Sequence, residues 1–211
     1  MIGIPNITYC GNYSKEIQAS DCDYSNISFY KPNDFFITSE NRTKFIKACE
    51  DATRKHEDYA RFVNYITDTI GINFCQVSSQ IYGTDATIEM HHGPLFTLFD
   101  YVAVVLEHFM KNNMKINTFR IADQVIQEHY DLHVQVVMLA ITNHEAVHNR
   151  DIFLNIRQGF GDISGFIEKY KDDLTDNQKY RIHKYISICE TTDSFDNNIC
   201  DIERVKKMVK L

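Results

Sequence analysis

Two histidine groups constrain this chain more than any other feature: EMHHGP, which holds His91 and His92, and NHEAVHN, which holds His144 and His148. Histidines four apart lie on one face of a helix, so His144 and His148 can reach a common point. An adjacent pair at a strand end, set against that helix, can bring three imidazoles to one divalent metal and leave a coordination position open. The fourth imidazole is then free to act on a substrate. Any fold that serves these residues must bring a strand near residue 90 against a helix near residue 146, although 52 positions separate His92 from His144.

The surrounding pattern supplies the elements. Residues 1–38 are rich in Asn, Ser, Tyr and Asp and read as irregular coil with a strand at 26–30. From Ser39, read as an N-cap, to residue 69 the apolar positions Phe45, Ile46, Cys49, Ala52, Tyr59, Phe62, Val63 and Ile66 follow helical spacing, which predicts one long helix closed by Gly71. Residues 72–77 and 86–90 read as two short strands around the turn-like YGTD, with the histidine pair leaving the second. Helical patterns follow at 95–110 and, with Thr118 as a cap, to 128; then comes a small apolar strand at 134–139 and the NHEAVHN helix. Beyond residue 152 the chain reads as two or three helices with Phe166, Ile167, Tyr170, Ile182, Tyr185, Ile186 and Val205 buried. The expected fold class is α+β, mainly helical. Its regions are 1–71 with one long helix, 72–150 carrying the histidines around a helical insertion at about 95–128, and a helical 151–211.

Composition narrows the function. With 211 residues and 44% hydrophobic content the chain can bury a substantial core. Against 22 Lys plus Arg stand 29 Asp plus Glu, and a net charge of −7 argues against a surface coated for nucleic acid, so any polyanion site must be local. Cys10, Cys22, Cys49, Cys75, Cys189 and Cys200 form no C-x-x-C pair, and nothing like a secretory signal precedes them, which points to reduced thiols and a cytoplasmic location. The apolar run at 101–106 is too short to cross a bilayer, so no membrane role is expected.

Three separated motifs, IEMHHGP, the strand-like VQVVMLAI and NHEAVHN, together resemble the HNH endonucleases of the His-Me finger or ββα-metal group, over about residues 72–150. The resemblance implies a small ββα-metal centre in which His91, His144 and His148 bind the metal and His92 is the general base. Glu89 falls where the family often places an acidic residue and would support the site. Gln135 stands where the family Asn, nine residues before the first helix histidine, steadies the general-base loop. Ala140 and Asn143 occupy positions where many members bear zinc-binding cysteines, so no structural zinc is expected. The implied activity is endonucleolytic hydrolysis of DNA, leaving 5′-phosphate and 3′-hydroxyl ends, with one divalent ion. An all-imidazole set favours zinc, then nickel or manganese, and family members also use magnesium. Arg150, immediately after the helix motif, is a phosphate-contact candidate for the DNA substrate. The resemblance also implies a phage or mobile element as the source.

Two other classes compete. His144-Glu145-Ala146-Val147-His148 also matches the zinc-peptidase pattern H-E-x-x-H, with Glu145 as base and Glu168 or Glu190 as a possible third ligand, but that reading leaves His91 and His92 unexplained. A non-catalytic binding or structural protein with a degenerate HNH core is the third, favoured by the acidic charge and by Gln135. Phe96, Phe99, Tyr101 and Phe109 read as a core face, Lys179, Arg181 and Lys184 as a solvated helix face, and His56, His108, His129 and His183 as ordinary surface or core histidines.

Overall fold

The computed structural model describes residues 29–191. The expected strand at 26–30 falls largely outside the described residues, and Val205, Cys10, Cys22 and Cys200 lie outside them altogether.

Thr38, not Ser39, caps α1 (Ser39–Arg54), its side chain accepting from the Asn41 amide, and the helix buries Phe45, Ile46, Cys49 and Thr53 along one stripe. The single helix expected through residue 69 is broken. His56 takes an extended backbone (ψ 140°), and its Nδ1 accepts from the Asp58 amide at 3.1 Å, starting α2 (Glu57–Asn64) with two acidic residues in its first turn. A π-helical turn, Tyr65–Thr69, prolongs α2 up to Gly71, whose φ of 81° reverses the chain. The apolar stripe continues across the break, which is why spacing alone does not disclose it.

The rest of the chain runs β1 (Ile88–His92), α3 (Leu98–Lys111), α4 (Thr118–Tyr130), β2 (Val136–Ala140), α5 (Ile141–His148), α6 (Ile163–Tyr170) and α7 (Asp176–Thr191). The protein is thus mainly helical with a small antiparallel sheet, an α+β architecture. A reciprocal capping box between Thr97 and Asp100 opens α3, and Asn117 rather than Thr118 caps α4. Arg181 of α7, partly exposed as a helix-face residue, also bonds both carboxylate oxygens of Asp100 at 3.0 Å and the Leu95 carbonyl at 3.1 Å, and so ties α7 to the start of α3.

The strand paired with β1 is β2, with His91 opposite Val137 and His92 opposite Val136. Residues 72–77 do not form the expected strand. They fold back in a tight loop, with only the isolated bridge Phe74↔Tyr82, and Gln76 covers the outer edge of β2 by exchanging bonds with the Met138 backbone. Val136 likewise bridges Phe160, so the free edge of β2 is largely satisfied.

The sheet separates two apolar clusters. On one side Val136 and Met138 join the main core, which takes residues from α1, α3, α4, α6 and α7 and includes Phe96, Tyr101 and Phe109 as the aromatic pattern predicts. On the other, Val137 and Leu139 pack with Cys75, Ala140 and Leu154, and with Val147 of α5. Residues directly opposite in an antiparallel pair share a face. Glu89 and His91 therefore belong to the face that meets α5, whereas His92 belongs to the face that meets the core. Within that core the Glu128 carboxylate is fully buried: it accepts from Lys169, Tyr170, Gln124 and His133, which hold its carboxyl below the usual range even though burial acts the other way. No helix among the described residues is long and apolar enough to cross a membrane.

Candidate metal centre

The centre is built where β2 passes into α5 without a loop. Ala140, the last residue of β2, is also the N-cap of α5 and offers no side-chain cap. Neighbours anchor the junction instead: the Ile141 amide donates to the Thr87 carbonyl at 3.1 Å, and Asn143 Nδ2 donates to Cys75 Sγ at 3.1 Å. Burial raises the Cys75 thiol, but hydrogen bonds from Ser78, the Ala140 backbone and Asn143 outweigh it and bring the thiol down to about 7. Cys75 is fully enclosed, and Cys49 and Cys189 are also buried and outside any disulfide. At its far end α5 closes with Asn149 as C-cap and Arg150 in the left-handed region (φ 67°). The Arg150 amide bonds the Val147 carbonyl and the Asp151 amide bonds the Ala146 carbonyl, the pairing of a Schellman motif.

One turn apart on α5, His144 and His148 face β1. With His91 they form a group whose ligand nitrogens all lie within 4.8 Å of one another. The His91 ring centroid is 5.1 Å from each of the other two, and His144 and His148 bring their Nε2 atoms to 3.1 Å. His91 is almost enclosed and His148 is exposed, so the group opens to solvent on one side. Burial, then the neighbouring His144 and His148, then Arg54, hold His91 down at about 4. It is neutral at pH 7 with a lone pair to offer, as a metal ligand must be. Glu89 also stands here, its Oε2 2.5 Å from His144 Nδ1.

His92 does not join this group. The next residue of a strand points the opposite way, and for His92 that is into the protein. Its Nε2 meets His129 Nε2 at 3.0 Å, and the ring stacks on Tyr59 with centroids 6.0 Å apart. His129 Nδ1 donates to the Val125 carbonyl at 2.7 Å, so its Nε2 accepts and His92 Nε2 donates. Burial, then His129, then Arg54, push His92 well below the ordinary imidazole range. The expected solvent-facing general base is therefore a core residue. Of the two expectations for His129, surface or core, the structure shows the second: it is fully buried.

Gln135 adjoins the loop that follows His92, its carbonyl accepting from the Gly93 amide at 3.3 Å, but its side chain is held by another segment. Its amide Nε2 donates to the Ile156 carbonyl at 2.7 Å, its backbone amide donates to Tyr101 Oη at 2.9 Å, and Gly159 packs so closely on the side chain that a Cβ there would lie 2.4 Å from Gln135 Cγ. The residue holds the 156–160 loop. Arg150 and Glu145 are exposed, the latter on the surface of α5. Three relationships go beyond the sequence expectations: His129 as the partner of His92, the Arg54 charge felt at His91, and the bond between His144 and Glu89. Only the last had a local signal: Glu89 and His91 are two apart and so share a strand face.

Over residues 9–210 the chain matches the family described as bacteriophage G278-like virion protein. No HNH family matches, and this overturns the HNH assignment: three short motifs describe a local arrangement of side chains that unrelated folds can also present. No curated protein and no solved structure is matched by the chain.

Proposed function

Because the chain belongs to the bacteriophage G278-like virion proteins, its setting is a phage virion, and we propose that it carries there a three-histidine divalent-metal centre that hydrolyses phosphodiester bonds of DNA. The observation that supports this is the convergence of His91, His144 and His148 on one solvent-open point. Three imidazoles around a solvent-open point are the donor set of hydrolytic rather than closed structural sites. They favour zinc, then nickel or manganese, over magnesium, which prefers oxygen ligands. When bound, such an ion supplies charge neutralisation at a phosphoryl oxygen and acidifies water.

The chain's own residues do the rest. His91 is held neutral and nearly enclosed on the rigid strand, while His144 and His148 present their Nε2 atoms from one helix face. Arg150, exposed at the end of α5, is the cation offered to phosphates. His92 has no part in the proposal, since its Nε2 is engaged with His129.

One observation favours a metallopeptidase as the second reading. His91 supplies the third ligand that H-E-x-x-H lacks downstream, and Glu145 is exposed next to His144. Assaying the full chain with added Zn²⁺, Ni²⁺, Mn²⁺ or Mg²⁺ on plasmid DNA and on an unstructured protein substrate, with Glu145→Gln in parallel, separates the classes. Chelator-sensitive DNA cleavage, equal in parent and variant, is expected. Proteolysis that disappears in Glu145→Gln establishes the peptidase, and a metal-loaded protein inert on both substrates overturns the hydrolase proposal in favour of a structural metal.

A further inference from the structure

We propose that Glu89 is the positioning carboxylate of this centre, fixing His144 as an Nε2 donor aimed at the point it shares with His91 and His148; the proposal rests on the metal reading above. Three observations bear on it. Glu89 lies two residues before His91 on β1, so strand alternation places both on the face that meets α5. Its Oε2 sits 2.5 Å from His144 Nδ1, while the opposite nitrogen of the same ring, Nε2, is 3.1 Å from His148 Nε2. Finally, Glu89 is not a member of the group whose donor atoms lie within 4.8 Å of one another; that group is His91, His144 and His148.

The chemistry follows from hydrogen inventory. A carboxylate has no hydrogen to give, so the hydrogen between Glu89 and His144 belongs to Nδ1, and Nε2 is left with a lone pair. The bond also restrains rotation of the ring, as acceptors behind metal-binding imidazoles do. In the metal-free protein His148 can fill the gap by donating its own Nε2 hydrogen to His144. Binding a cation then requires only that His148 change tautomer, since His144 already presents its lone pair. Because Glu89 sits behind His144 and outside the donor group, the first coordination sphere keeps three nitrogens and no carboxylate. That composition selects borderline transition-metal ions over calcium and magnesium.

The test titrates the full chain with Co²⁺ in competition with a chromophoric chelator and records the visible cobalt spectrum, for the parent, Glu89→Gln and Glu89→Ala. Thermal unfolding of the three metal-free proteins serves as control. Glu89→Ala is expected to weaken cobalt binding about 10- to 100-fold at unchanged stoichiometry. Glu89→Gln should fall between, because an amide oxygen still accepts the Nδ1 hydrogen but without the charge, and the spectral band positions should stay close to the parent's in both. Parental affinity in Glu89→Ala, with the parent itself binding cobalt, overturns the positioning role. A cobalt spectrum that reports a lost ligand in both variants overturns it too, because Glu89 is then a ligand. A parent that binds no cobalt instead removes the metal reading beneath the proposal, a failure distinct from the other two. If Glu89→Ala does not fold, the Glu89→Gln affinity and spectrum decide alone.

Discussion

His91 and His92 are neighbours in β1, yet His91 meets His144 and His148 of α5 at ring separations of 5.1 Å while His92 meets His129 of α4 with its Nε2 3.0 Å away. A two-stranded sheet thus divides one dipeptide between a solvent-open donor cluster and the protein core. The division assigns the two residues different consequences on substitution.

Truncating His92 should cost stability rather than chemistry. His92→Ala removes a buried ring and strands the His129 Nε2 acceptor, losses that together amount to about 2–4 kcal/mol. Denaturant unfolding measures that loss. At a temperature where the variant is folded, its metal content and its activity per folded molecule should stay within a few-fold of the parent; a loss of about 100-fold in DNA cleavage with stability intact restores the general-base role.

Acid should unfold the protein through the same buried pair. His129 is held down at about 4 from an ordinary 6.5, chiefly by burial, although its bond to the Val125 carbonyl and the Glu128 charge act against the shift. Its folded pKa is depressed, so between pH 6.5 and 4 the unfolded chain binds the proton and the folded chain does not. The stabilisation is complete above pH 6.5 and is lost as pH falls toward 4, by roughly 3 kcal/mol at full extent. Chemical denaturation at a series of pH values should show this slope, and a stability that is flat across the window contradicts it.

Glu128 ties α4 to α6 from inside the core. Removing its carboxylate leaves Lys169, Tyr170 and His133 without their shared acceptor. Glu128→Ala should therefore destabilise by about 1–3 kcal/mol, the scale for buried donors left without their acceptor, and Glu128→Gln by less. Calorimetry on the two variants checks the order.

Arg150 occupies a left-handed backbone position that glycine fills without strain. Arg150→Gly should stabilise the protein by up to about 1 kcal/mol while weakening DNA binding, and the salt dependence of that binding should become shallower. Unchanged DNA affinity and salt slope remove Arg150 from the substrate surface.

Much of this architecture was legible beforehand, for local reasons. The mainly helical α+β class follows from apolar spacing, and the meeting of His91 with His144 and His148 follows from i, i+4 geometry and from a strand leading directly into a helix. What could not be read depended on tertiary packing. Whether the far side of β1 meets water or core is decided by where α2 and α4 lie, so the partners of His92 were hidden. The break at His56 preserves the apolar stripe and leaves the helical period intact, and the 72–77 segment has strand-like composition but closes on itself through Gln76 and the Phe74↔Tyr82 bridge. The motifs do not fix family membership, for a different reason: a metal-binding constellation is a small geometric object, and its letters recur without common descent.

The most direct measurement of the central claim is the metal content of the purified full chain after equilibration with zinc and removal of excess, compared with His91→Ala, His144→Ala and His148→Ala and with His92→Ala as the control. The expected result is about one tightly held ion per parent chain and per His92→Ala chain, with each of the other three losing most of it. A parent that retains no ion, or equal loss from His92→Ala and the three cluster variants in folded proteins, contradicts the three-histidine centre.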